Sequence, residues 1–253
     1  MRSDRFQGIR RIARQVLAPL RGPKRMAPAE AFDLWSATYD EQTTNPLVLL
    51  DDELSDRLLA KQSVEGEVIV DVGCGSGRHW PKLLARHPAR LIGYDVSAGM
   101  LALLRAKFPP AELHRVTDHR LLAMPDESCD LVISTLTLGY LVDVEAAFHE
   151  WARVLKPSGI VVVTDLHPAV ATPNSRSFRH REQTIVINHR SLSLAFITAA
   201  AERSGFAVTQ IERGLVGESV RPAYQAANAL DLYRHQEGTA LMFGLRLAKS
   251  VTR

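Results

Sequence analysis

Cysteine is nearly missing from this chain, with Cys74 and Cys129 the whole complement among 253 residues. Two thiols cannot build a disulfide framework or a four-cysteine metal site, and both read as reduced thiols of a cytoplasmic protein. Long apolar runs are missing too: none reaches about 18 uninterrupted residues, so no transmembrane helix is expected. No internal repeat and no low-complexity linker interrupts the chain, which points to a single domain with an insertion. The histidines show no metal-ligand spacing, and no Ser-His-Asp or Cys-His arrangement stands out, so neither a metal centre nor a hydrolase triad is expected. What is present, 46% hydrophobic and 23% charged residues, is the balance of a globular protein with a full core.

The net charge of +3 conceals a division. Residues 1–25 carry eight Lys or Arg against the single acid Asp4, which leaves the remaining chain at −4. A mildly acidic body argues against a nucleic-acid partner, because phosphate neutralisation needs clustered cations on the folded domain. At helical spacing Phe6, Ile9, Ile12, Ala13, Val16, Leu17 and Leu20 share an arc of roughly 140°, with Arg10, Arg11 and Arg14 opposite. Residues 1–25 therefore read as a basic amphipathic leader helix or a tail. Residues 5–20 are suited to peripheral contact with an anionic membrane, to covering a site, or to targeting.

From residue 65 short apolar runs alternate with helical stretches. The strands expected are Glu67–Val72, Arg90–Val96, Ala111–Val116, Asp130–Leu136 and Gly159–Asp165. These runs are apolar almost throughout, as strands buried on both faces of a parallel sheet must be. Ser97 can cap a helix over Ala98–Phe108, and Asp143 one over Val144–Lys156. Beyond Asp165 the rhythm changes. Phe178–Asn188 reads as a hairpin insertion, Ser191–Ser204 as a helix closed by Gly205, and Phe206–Ile211 and Ala240–Lys249 as the last strands. Seven strands in one doubly wound α/β sheet is the natural count.

The informative stretch is Val68-Ile69-Val70-Asp71-Val72-Gly73-Cys74-Gly75-Ser76-Gly77. A buried strand delivers the chain to a glycine turn that a ligand can approach closely. A dinucleotide fingerprint places its third glycine where Arg78 stands, and Asp71 beside the turn repels pyrophosphate. A cationic ligand fits better than a nicotinamide dinucleotide. Asp95, ending Leu91-Ile92-Gly93-Tyr94-Asp95, can accept both hydroxyls of a ribose; Met100 can pack beside an adenine, and Asp118 in Thr117-Asp118-His119 can accept from its exocyclic amine.

These motifs resemble the class I S-adenosylmethionine-dependent methyltransferases, in particular the small-molecule type similar to quinone-biosynthesis enzymes. Val70-Asp71-Val72-Gly73-Cys74-Gly75-Ser76-Gly77 is similar to the family's first motif, and Gly93-Tyr94-Asp95-Val96-Ser97 to its acidic second-strand motif. Met124-Pro125-Asp126-Glu127-Ser128-Cys129-Asp130-Leu131-Val132 and Arg153-Val154-Leu155-Lys156-Pro157-Ser158-Gly159 resemble its later signatures. Cys129, Ser158 and Gly139 depart from the aromatic, glycine and histidine common at those places. The resemblance is strong over 65–165 and weak over 30–250. It implies a Rossmann-like sheet whose last strand is antiparallel, with helices on both faces. It also implies one domain over 26–253, with lid helices in 26–62 and an insertion at about 168–190.

The cofactor implied is S-adenosyl-L-methionine. Asp71 and the glycine turn of Gly73, Cys74, Gly75 and Gly77 would hold its methionine part, Asp95 the ribose and Asp118 the adenine region, with Val96, Met100, Thr117, His119 and Thr135 also touching the cofactor. Methyl transfer from a sulfonium is an in-line displacement that needs alignment and water exclusion more than a dedicated group. For a hydroxyl acceptor His167, leaving the fifth strand, is the candidate base, and Tyr39 the candidate aromatic beside the methyl. Arg176 and Arg179 are candidates for an acidic substrate group, and Trp35 and Tyr140 for the pocket wall. The expected activity is methylation of O, N or C of a small organic molecule. The alternative is a non-catalytic S-adenosylmethionine-binding module that regulates or scaffolds a partner enzyme, with a tRNA or protein acceptor less favoured. Oligomeric state is left open.

Overall fold

A computed structural model of the chain describes residues 22–41 and 45–250. The amphipathic face from Phe6 to Leu20, and with it the membrane contact expected of residues 5–20, lies outside the described residues. The strands are β1 (Lys24–Met26), β2 (Val68–Val72), β3 (Arg90–Asp95), β4 (Glu112–Arg115), β5 (Cys129–Thr135), β6 (Leu155–Leu166), β7 (Ser177–His180), β8 (Gln183–Ile187), β9 (Phe206–Leu215) and β10 (Ala240–Lys249). The α-helices are α1 (Pro28–Trp35), α2 (Pro46–Leu59), α3 (Trp80–Leu84), α4 (Ala98–Lys107), α5 (Val144–Val154), α6 (Leu194–Arg203), α7 (Arg221–Ala226) and α8 (Leu230–Gln236). Short 3-10 turns cover Ser36–Glu41 and Leu138–Tyr140. No helix among the described residues is long and apolar enough to cross a membrane.

Seven strands form one sheet in the order β4-β3-β2-β5-β6-β10-β9. β2 pairs parallel with β3 and β5, and β5 parallel with β6, while β10 runs antiparallel between β6 and β9. The expected seven-stranded, mostly parallel sheet with an antiparallel last strand is the one observed. Period-two alternation divides its faces. Val70 and Val72 of β2 pack with Phe148 and Trp151 of α5. Ile69, facing the other way, packs with Trp80 of α3 and Leu104 of α4. Each fully buried aromatic of this kind contributes on the order of 2–3 kcal/mol of apolar burial.

Local caps set the helix starts. Ser97 Oγ accepts from Met100 N at 3.1 Å, and Asp143 Oδ1 from Ala146 N at 3.0 Å. Three sequence expectations need correction. The helix read as reaching Lys156 ends at Val154, because Leu155 opens the long β6 ahead of Pro157, and residues preceding proline avoid the helical region. The helix read from Ser191 begins at Leu194, capped by Ser193 Oγ on Phe196 N at 3.1 Å, with Gly205 at φ +87° closing it. The leader boundary at residue 25 cuts through β1, which pairs parallel with β8 in a second sheet ordered β1-β8-β7. The hairpin within Phe178–Asn188 is present as β7 and β8, joined to the N-terminal segment rather than standing alone. β9 continues to Leu215, and α7 and α8, unread in the sequence, pack Tyr224 and Tyr233 against Leu50 and Leu54 of α2.

Candidate active site

Across the carboxyl ends of β2, β3, β4 and β5 lies a cavity of about 320 Å³. Its roof is α1 and the Ser36–Glu41 turn, and ion and hydrogen bonds hold that roof down. Asp33 accepts from Ser97 Oγ at 2.6 Å and Gly99 N at 2.9 Å; Asp40 accepts from Ser76 Oγ at 2.5 Å and Lys107 Nζ at 2.9 Å. The roof is thereby anchored to the glycine turn and to the start of α4.

The floor is the β2 turn. Gly73 adopts φ +76°, and a Cβ there would stand 2.1 Å from Thr137 Oγ1, so only glycine lets the two strand-tip loops meet. Gly75, at φ +53°, lines the cavity with nothing within 4 Å of where its Cβ would project. Asp95 fastens this floor from below: its Oδ2 accepts from Gly75 N and its Oδ1 from Ser97 N, both at 2.8 Å. Burial raises the Asp95 carboxyl above its ordinary value, and the backbone N–H donors pull against that rise.

Among the residues expected at the site, the cavity brings together Tyr39, Gly73, Gly75, Asp95, Val96, Met100, Thr117, Asp118, His119, Thr135 and Tyr140. Asp118 sits at the rim with its carboxylate engaged by Arg120, whose Nε donates to Oδ2 at 2.9 Å. The others do not line the cavity. Asp71 shares the face of Ile69, so it points beneath the turn, where its Oδ2 accepts from Trp80 Nε1 at 2.9 Å. Cys74 is buried at the turn, its Sγ against the backbone of Gly93. A Cβ on Gly77 would meet Leu104 at 2.9 Å, so this glycine serves α4 packing rather than ligand approach. His167 follows β6, donates its backbone N–H to Leu241 O at 2.8 Å and accepts from Ala169 N at Nδ1. It is not among the residues that line the cavity.

Phe32, Leu136 and Thr137 also line the cavity, and the sequence offered little sign of them. Phe32 meets Tyr140 edge-on at 5.2 Å, while Trp35 stacks on Phe178 at 4.5 Å and so joins the roof to the second sheet. Burial pushes the Tyr39 phenol up to about 12, which keeps it protonated and able to donate. Arg78, which displaces a dinucleotide glycine, pairs with Asp51 and Asp52 of α2. Asp51, Asp52 and His79 present ligand atoms within 4.8 Å of one another, a grouping their spacing hid, and Arg78 and Thr164 take up the Asp51 carboxylate.

Residues 70–163 match the family described as "Methyltransferase domain". The chain carries a methyltransferase domain over that stretch. It is 34% identical over 154 residues to a malonyl-[acyl-carrier protein] O-methyltransferase of Yersinia pestis, covering 59% of this chain and 54% of that protein. It is 37% identical over 142 residues to one of Hahella chejuensis, covering 54% and 49%. The chain thus spans about half the length of these curated relatives. In fold it superposes on an S-adenosylmethionine-dependent methyltransferase of Mesorhizobium loti with a TM-score of 0.62 at 24% identity, covering 79% of this chain and all of that one. A geranyl diphosphate C-methyltransferase of Streptomyces coelicolor A3(2), in complex with S-adenosyl-L-homocysteine, superposes with a TM-score of 0.59 at 16% identity, covering 79% of each.

The residues present fit the family's cofactor. A class I methyltransferase needs open backbone beside the sulfonium and an acid at the second strand tip, and Gly75 and Asp95 supply these in contact with each other. The remaining wall is chiefly apolar with a few polar groups, the usual constitution of a small-molecule site.

Proposed function

We propose that this protein transfers the methyl group of S-adenosylmethionine to O, N or C of a small organic molecule bound under α1. The observation that carries the reading is the cavity itself, with the Asp95-fastened glycine turn on one side and Phe32, Tyr39 and Tyr140 on the other. The cofactor, when bound, supplies a methyl already activated for in-line displacement. The chain's work is alignment and exclusion of water, which can supply several kcal/mol without covalent chemistry. Gly73 and Gly75 let the donor lie against backbone. Asp95 and Thr117 are proposed to take the ribose and adenine sides, and the aromatic roof to close over the acceptor. Tyr39, protonated and lining the cavity, would donate a hydrogen bond to an acceptor oxygen, as orienting group and not as base. Malonyl-[acyl-carrier protein] O-methyltransferases among the relatives make a carboxyl oxygen one acceptor worth including.

Purified full-length protein is to be incubated with methyl-labelled S-adenosylmethionine and a panel of malonyl thioester, phenol, amine and activated-carbon acceptors. Labelled product with stoichiometric S-adenosylhomocysteine is expected. The second reading is a non-catalytic cofactor-binding module that regulates or scaffolds a partner enzyme; the fold does not decide against it, since a [4+2]-cyclase shares that fold with a TM-score of 0.65 at 18% identity, covering 92% of this chain and all of that one. Tight S-adenosylmethionine binding in calorimetry with no product from any acceptor would favour it. Buried, unpaired Cys74 and Cys129 support a cytoplasmic setting.

A further inference from the structure

The insertion between β6 and α6 closes on the cavity wall through two arginines. Arg176, just before β7, is only 9% exposed. Its Nη1 donates to Leu136 O at 3.0 Å, its Nη2 to Asp165 Oδ1, and its guanidinium lies over the Tyr140 ring, 4.5 Å from the centroid. Asp165 completes the joint, because its Oδ2 accepts from Gly139 N at 3.0 Å. Arg190, after β8, donates its backbone N–H to Gly139 O and its Nη1 to Val142 O, both at 2.7 Å. Segment 136–142 is thus gripped from both ends of the insertion, and Leu136, Thr137, Tyr140 and Leu141 of that segment line the cavity.

Gly139 explains why the grip is possible. A Cβ at that position would stand 2.9 Å from Arg176 Nη2 and 3.2 Å from its Cζ. The space beside residue 139 is filled by a guanidinium arriving from elsewhere in the chain. Leu136 sits at φ +54°, a conformation that L residues adopt only under external constraint, and Arg176 holds its carbonyl. With its charge matched by Asp165 in a buried pair, Arg176 is not free to receive a substrate carboxylate as the sequence suggested, and Arg179 is exposed on Thr184.

We infer that Arg176 is a positioning residue for the methyl acceptor, acting through Tyr140 and Leu136, and that Gly139 is its steric complement. The inference rests on the proposed methyl transfer in this cavity. Arg176 fixes the wall on the β5–β6 side, away from the Asp95 side given to the cofactor. Its own partners, Leu136 O, Tyr140 and Asp165, leave out Thr137, the residue of the segment that abuts the Gly73 turn, so it acts on where the acceptor lies more than on how tightly the nucleoside is held. Fixing that wall through a residue of the insertion also couples acceptor alignment to docking of the β1-β8-β7 sheet, since Ile187 N donates to Arg176 O at 2.9 Å and Asn188 N to Met26 O at 2.9 Å.

The test uses the full chain with Arg176→Lys, Arg176→Met and Gly139→Ala, and a double variant of the last two. S-Adenosylhomocysteine affinity by calorimetry should stay within about twofold, while kcat/KM for whichever panel acceptor is methylated falls about 10- to 100-fold, as for misplaced reactants. Arg176→Lys should recover part of the loss by keeping the charge on Tyr140, and the double variant should lose no more than Arg176→Met alone. An unchanged acceptor kcat/KM, a parallel loss of S-adenosylhomocysteine affinity, or no recovery in Arg176→Lys would overturn the assignment. If the wild type methylates nothing, the functional reading fails. The positioning is then judged by amide exchange over 136–142: faster exchange in Arg176→Met with unchanged S-adenosylhomocysteine affinity supports it, and unchanged exchange overturns it.

Discussion

The indole of Trp80 donates to Asp71 Oδ2 at 2.9 Å, and this bond places the first-motif carboxylate under the glycine turn instead of on the cavity surface. Asp71 is 3% exposed. Burial raises its carboxyl to about 6, with the nearby His79 and the Trp80 hydrogen bond opposing. The carboxylate is therefore a field source for whatever lies above the turn and not a direct ligand.

Asp71→Asn separates that field from packing. Between pH 4 and 6 the folded chain keeps the Asp71 proton that the unfolded chain has released, so folding is favoured as pH falls through this window. Above pH 6 the burial cost is complete and amounts to about 3 kcal/mol. The substitution should raise the melting temperature of the ligand-free protein at pH 8 and change it little at pH 4. It should also weaken binding of S-adenosylmethionine more than of S-adenosylhomocysteine, which lacks the sulfonium charge. Calorimetry with both ligands checks this; equal weakening of the two would contradict a field role.

Gly73→Ala should damage the site at its narrowest contact. The new Cβ has to displace Thr137 and to hold φ +76°, a cost of about 1–3 kcal/mol. A lower denaturation midpoint and weaker S-adenosylhomocysteine binding are expected. Adding Thr137→Ala should restore part of the stability, which urea titration of the single and double variants measures, because it removes the clash but not the backbone strain.

His167→Ala should retain turnover close to wild type. The ring caps the loop after β6 and does not line the cavity, so its loss costs one exposed hydrogen bond. Rates measured from pH 6 to 9 with the panel acceptor would expose a hidden base as a lost pH-dependent limb.

The sheet was legible because burial on both faces leaves an unmistakable mark: β2, β3, β5 and β6 are apolar runs bounded by turn and cap signals. The cofactor side was legible in Gly73, Gly75 and Asp95, since a positive φ and a strand-tip acid restrict residue type. Strand parity decides Asp71: counted in twos from Ile69, it falls on the α3 face. The acceptor side stayed hidden for a different reason. Phe32, Leu136 and Arg176 gain their places through tertiary contacts, such as Arg176 on Leu136 O 40 residues away, and no local pattern encodes those. Gly139 was visible as a departure from the family, but the side chain that fills its space could be found only in three dimensions.

Asp51 of α2 should govern acid stability. It is fully buried, and although burial alone would raise its carboxyl, hydrogen bonding from His79 at 3.0 Å and the adjoining Arg78 charge, together with Thr164, bring it down to about 2. The folded-state value lies below the ordinary 3.8, so the stability it confers, about 2 kcal/mol, is present above pH 4 and is lost as pH falls through 2. The trend is opposite to that of Asp71, so stability should climb as pH falls from 6 to 4 and then fall between pH 4 and 2. Asp51→Ala leaves Arg78 without its buried partner and should cost about 3–5 kcal/mol at pH 7. Its denaturation midpoint should also flatten below pH 4, where the wild type is still losing stability. Urea titrations from pH 2 to 8 test this, and parallel curves for the two proteins across pH 2–4 would show that the acid limb belongs to other carboxylates.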